Sequence, residues 1–110
     1  MKRNKQLPLT ETVYYILLSL LEPRHGYLIM QRVEELSEGQ VRMAAGTLYG
    51  ALDNLVKLHF IKPVPEQEGR RKVYLITQEG KDMLRLDQER MQSLLTITDQ
   101  LLREDEHEEV

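Results

Sequence analysis

A mainly α fold with one small β-hairpin and a long C-terminal helix is what this 110-residue sequence predicts. Three patterns carry that expectation. Apolar residues recur at helical spacing through three short segments before residue 60. The period then changes to two on either side of a Gly-Arg-Arg turn, and a heptad-spaced apolar stripe follows as far as residue 102. The length suits one domain on the usual scale of ~100–200 residues. With 41% hydrophobic residues and only 6 Gly and 4 Pro, most of it should be ordered.

The elements follow in order. Thr10 is placed to cap a first helix with apolar positions Val13, Ile16, Leu17, Leu20 and Leu21, ended by Pro23. A short second helix, Gly26 to Glu35, carries Ile29 and Val33 and stops at Ser37-Glu38-Gly39. From Gly46 a third stripe runs through Leu48, Leu52, Leu55 and Leu58. Phe60 to Val64 and Lys72 to Ile76 read as two strands joined by a polar loop, Pro65 to Arg71. Pro63 cannot donate to a ladder, so its strand is expected at an edge or with the proline nitrogen facing away from the partner strand. Thr77 caps the last helix, with Glu79 at the favourable end of the helix dipole and Gly80 weakening the first turn.

Within that helix Leu84, Met91 and Thr98 share one heptad position, Asp87, Leu94 and Leu101 a second, and Gln88, Leu95 and Leu102 lie beside the second. From Thr77 to Arg103 the helix would be ~40 Å long at ~1.5 Å per residue, more than a three-helix domain of this size can cover. A partner copy is therefore expected along Met91, Leu94, Leu95, Thr98, Leu101 and Leu102, making a homodimer. The chain divides into residues 1–76, a compact domain; 77–103, a dimerisation helix; and 104–110, an acidic tail expected to be disordered.

The net charge of -3 conceals an asymmetry. Residues 1–72 hold 11 Lys and Arg against 8 Asp and Glu, whereas residues 73–110 hold 4 against 10. A phosphate backbone responds to the local field, so the acidic sum does not exclude nucleic acid. The absence of Cys excludes disulfides, thiolate metal sites and a cysteine nucleophile. No apolar run approaches the ~18 residues of a membrane span and no signal-peptide cleavage site follows the basic start, so a cytoplasmic location away from membranes is expected. His25, His59 and His107 are far apart and form no metal-ligand spacing or catalytic set. His25 reads as a structural residue in a turn, and His107 as part of a solvated tail or a weak cation ligand. No catalytic residue, metal or cofactor is expected.

Three helices followed by a hairpin is the winged helix-turn-helix order, in which the third helix enters the major groove and the hairpin meets the DNA backbone or minor groove. Lys57 and the wing-tip residues Arg70, Arg71 and Lys72 sit where such a wing would meet phosphate. Beside Glu66 and Glu68 the same cluster also suits a solubilising loop. On the third helix the core stripe leaves Thr47, Gly50, Asn54 and Lys57 on the opposite face, with Tyr49 and Asp53 on its flanks. Thr47 and Tyr49 offer hydroxyls to phosphates, and Asn54 has the donor-acceptor pair that suits adenine. Gly50 costs roughly 1 kcal/mol in a helix relative to Ala, so close approach to DNA or close helix packing should explain it. A winged-helix module that binds proteins and not DNA is the alternative. It would need an exposed apolar patch beyond the dimer seam.

His25-Gly26-Tyr27, Gly46-Thr47-Leu48-Tyr49-Gly50-Ala51-Leu52 and Arg71 through Gly80, in this order and spacing, resemble the PadR family of bacterial transcriptional regulators from about Leu9 to Leu84. The resemblance implies a dimeric winged helix with a C-terminal dimerisation helix that binds a double-stranded operator. Such proteins usually repress a nearby promoter and are sometimes released by a small aromatic ligand. By the same resemblance Tyr49 corresponds to a phosphate-contacting tyrosine and Arg70 to Lys72 to a basic wing. The family often has Ser-Pro where this chain has Ala44-Ala45, and Gly where it has His59-Phe60. With no Trp, a tryptophan-lined ligand pore is not implied. Tyr14 and Tyr15 are the aromatic residues available to an effector pocket, or simply to packing between the first and last helices.

Overall fold

Local chemistry sets the helix ends. The computed structural model describes residues 4–65, 69 and 71–108, so the expectations for Arg70, Glu66 and Glu68 lie outside the described residues. Thr10 Oγ1 accepts the Val13 N–H at 3.1 Å and starts α1, Glu11–Ser19. This helix ends at Ser19, before Pro23, because Leu20 N–H tightens onto the Ile16 and Leu17 carbonyls, both at 3.2 Å. Helix α2 covers Gly26–Leu36 and exits through Gly39, whose φ of +79° lets its N–H reach Glu34 O at 2.8 Å. Helix α3, Ala45–Lys57, starts at Ala44 without a side-chain cap, forgoing ~1 kcal/mol that a Ser or Thr there would contribute.

The hairpin strands are β2, Ile61–Val64, and β3, Val73–Ile76, with Ile61 opposite Ile76 and Pro63 opposite Tyr74. A strand absent from the sequence reading, β1 (Arg24–His25), pairs antiparallel with β3 and gives the order β1-β3-β2. Two residues are too few to show alternation. As expected, β2 is an edge strand, so the missing N–H of Pro63 is tolerated.

The helical stripes and the sheet meet in one core containing Ile16, Leu17, Leu20, Ile29, Val33, Leu48, Leu52 and Ile61, all within 2% of full burial. His59 turns the chain out of α3 at φ +64°. Its carbonyl accepts the Thr77 hydroxyl at 2.6 Å, and Thr77 Oγ1 accepts the Gly80 N–H at 3.0 Å, capping α4 as expected. Gly80 is required there: a Cβ would strike the Phe60 carbonyl oxygen and Ile76 Cγ1.

Helix α4 runs Gln78–Glu108, and one expectation changes with it. Residues 104–108 are helical, not disordered: Glu is a good helix former, and an established helix propagates cheaply. Gln100 Nε2 donates to Glu104 Oε1 at 3.2 Å across that extension. Met83, Leu84 and Asp87 of α4 are buried with the rest of the core. Beyond them α4 projects, and the Cα radius of gyration is 17.4 Å against about 13 Å for a compact chain of this length.

Candidate nucleic-acid interface

The same periodicity that turns Leu48, Leu52 and Leu55 into the core exposes Thr47, Tyr49, Gly50, Asp53, Asn54 and Lys57. These residues divide into two rows. Tyr49, Asp53 and Lys57, at i, i+4 and i+8, face the hairpin. Tyr49 and Asp53 border a groove of about 870 Å³ with His25, Gly26, Tyr27, Arg71, Lys72 and Tyr74. Asp53 and Lys57 border an adjoining groove of about 470 Å³ with Val64, Arg71 and Lys72. Outward lie Thr47, Gly50 and Asn54, together with Gly46. A Cβ added to Gly46 or Gly50 would meet nothing within 4 Å, so packing inside the chain does not explain either glycine.

The hairpin brings cations back to this face. Arg71 and Lys72, both exposed, precede β3 and stand near Lys57, which sequence separates from them by a whole strand and loop. Tyr74 is buried beneath them at 4% exposure. Burial, and then the charges of Asp53 and Tyr49, push its phenol pKa above 10.0, so it stays protonated.

The start of α2 joins both sides of the groove. Gly26 lies under the Tyr49 ring so closely that an added Cβ would be 2.5 Å from the hydroxyl oxygen and 2.9 Å from Cζ. His25 Nε2 lies 3.2 Å from Arg71 Nη1. A guanidinium can only donate, so this Nε2 accepts and the ring proton belongs on Nδ1. Sequence reasoning took His25 as a structural turn residue and gave no site role to Gly26, Tyr27 or Asp53. Gly26 and Tyr27 did carry a signal in the sequence, as part of the His25-Gly26-Tyr27 motif.

Away from this face, Leu94, Leu95, Leu101 and Leu102 are 52–63% exposed, Thr98 is exposed and Met91 is half-buried. Ile97, 45% exposed, widens the stripe and was missed because it falls outside the heptad positions. Tyr14 and Tyr15 are half-buried between α1 and α4, lining a groove of about 520 Å³ with Leu9, Asp87, Arg90 and Met91. Asp87, 1% exposed, accepts from Arg90 Nε at 2.6 Å. Burial first, and the Asp87 charge second, raise the Tyr14 pKa above 10.0. Among the described residues no group of three or more His, Cys, Asp or Glu is placed to hold a metal ion, and no helix is long and apolar enough to cross a membrane.

Comparison with known proteins addresses the same segment. The family model of the "Transcriptional regulator PadR-like family" matches residues 15–86. An uncharacterised transposon-encoded protein of Streptomyces fradiae is 36% identical over 62 residues, which are 56% of this chain and only 17% of that protein. A PadR family transcription regulator from Clostridium difficile superposes with a TM-score of 0.65 at 31% identity, covering 82% of this chain and 97% of the other. Bacillus subtilis PadR, solved in complex with operator DNA, has a TM-score of 0.58 at 24% identity, covering 71% of this chain and 46% of the other. With the family match running from within α1 through α2, α3 and the hairpin to the start of α4, this chain belongs to the PadR-like family of transcriptional regulators.

Proposed function

We propose that the protein is a cytoplasmic homodimeric repressor that binds a pseudo-palindromic operator. The observation that carries this reading is the exposed face of α3. Gly46 and Gly50 open onto free space beside Thr47 and Asn54, and Lys57, Arg71 and Lys72 gather along one edge. A glycine pair with no packing role, next to side chains able to bond base edges and phosphates, suits close approach of a duplex. Tyr49 and the wing cations serve as phosphate contacts that position α3, and Asn54 reads a base edge. Bacillus subtilis PadR, with operator DNA, gives a precedent within the fold.

Dimerisation covers the α4 stripe of Met91, Leu94, Leu95, Thr98, Leu101 and Leu102, extended by Ile97. It sets two reading helices ~34–36 Å apart, the spacing of successive major grooves. Bound to a promoter, the dimer blocks transcription. A small aromatic effector fits the groove beside Tyr14 and Tyr15, and it acts if it binds two dimer spacings with different affinity. The alternative of a protein-binding module lacks support on α3, because the exposed aliphatic residues are concentrated on α4.

The test is titration of a duplex selected from genomic fragments, and of its scrambled version, at several salt concentrations. Replacing Arg71 and Lys72 by Ala weakens both duplexes and lowers the salt slope by about 0.9 for each phosphate no longer neutralised. Asn54→Ala costs ~1–3 kcal/mol on the selected duplex and little on the scrambled one. An unchanged slope in the wing variant, together with no duplex preferred by the wild-type chain, refutes the reading.

A further inference from the structure

The groove between α3 and the wing contains one contact that the proposed DNA reading does not use. His25 belongs to β1, where it pairs with Val73 at the base of the wing, and Arg71 leaves the wing two residues earlier. Their side chains meet across the groove, Arg71 Nη1 donating to His25 Nε2 at 3.2 Å. The backbone pairing anchors His25 at the base of the wing, and His25 is half-buried where Arg71 is exposed. A long cation that is free in solution loses rotamer freedom when it takes up one contact, and a cation already held in place loses less.

We infer that His25 is a positioning residue. Its unprotonated Nε2 holds the Arg71 guanidinium in the groove beside Tyr49, so that the wing cation and the α3 tyrosine face a phosphate backbone as a preformed pair. The role rests on the DNA reading given above. His25 does not touch the nucleic acid itself and acts through Arg71.

Two measurements on the full chain test it. In the imidazole 15N spectrum of the free protein at alkaline pH, His25 has its proton on Nδ1, and Arg71→Ala moves it toward the Nε2–H form that free imidazole prefers. In salt-dependent titration of a random-sequence duplex, His25→Ala weakens binding roughly 2- to 10-fold, the scale of one hydrogen bond. His25→Gln, whose amide oxygen can accept in place of Nε2, restores most of the loss. In the Arg71→Ala background His25→Ala has no further effect.

A His25 ring that carries its proton on Nε2 and ignores Arg71→Ala overturns the proposal. So does an undiminished loss from His25→Ala in the Arg71→Ala background, which would put His25 on the DNA directly. Absence of salt-dependent binding by the wild-type chain, with the Nδ1–H tautomer present, overturns the DNA reading and the positioning role with it.

Discussion

Changing Leu94 and Leu101 together to Asp separates a chain that needs a second copy from one that does not. The two side chains are 52% and 54% exposed in the single chain, so roughly half of each remains to be buried by a partner. Full burial of a Leu is worth ~1.5–3 kcal/mol, and half of that is about 0.8–1.5 kcal/mol per side chain. A two-fold interface uses each position twice, so the double variant forfeits about 3–6 kcal/mol before any cost of desolvating carboxylates. At ~1.4 kcal/mol per tenfold, the dimer dissociation constant should rise between about 10²- and 10⁴-fold. The fold of the single chain should survive, because its core lies in other residues, and far-UV circular dichroism checks that. Sedimentation equilibrium over a dilution series reads the dissociation constant. A folded double variant that stays dimeric at the same concentrations as the wild type would refute the assignment of this face.

Three further outcomes are expected. Gly26→Ala pushes the Tyr49 hydroxyl away while leaving the melting temperature nearly unchanged, since the obstructing atoms are the far end of a side chain. DNA binding should weaken roughly 2- to 12-fold, the worth of one neutral hydrogen bond, and a full-strength titration would remove Tyr49 from the interface. His59→Gly relieves a residue held at φ +64° and should raise stability by ~0.5–1 kcal/mol in urea titration, the strain relieved less the added chain entropy. A destabilised variant would show that the turn is not strained. Finally, burial lifts the Tyr14 and Tyr74 phenols above 10.0, so the unfolded chain releases these protons first and stability must fall as pH rises beyond about 10. The loss grows until the folded-state values are passed; Tyr14→Phe should blunt it, and an unchanged alkaline profile would argue against that residue's burial.

Periodicity alone determined much of this protein. The 3.6-residue recurrence of Leu48, Leu52 and Leu55 placed α3 and, by exclusion, its exposed face; the alternation about Val73 to Ile76 placed the hairpin; Thr10 and Thr77 marked helix starts through chemistry confined to three residues. Such signals are local, so one dimension suffices to carry them. Residues 104–108 depart from the sequence expectation for the complementary reason: their acidic composition suggests a solvated chain, but a helix already propagating through Leu101 and Leu102 continues into Glu-rich sequence at little cost. Strand β1 was invisible because two residues have no period. Above all, the site's assembly is tertiary. Lys57 beside Arg71 and Lys72, the ring of Tyr49 over Gly26, and the contact of His25 with Arg71 join residues from α3, the wing and the β1–α2 junction. Which of them meet depends on how the core packs three helices against one sheet, and no spacing along the chain encodes that distance.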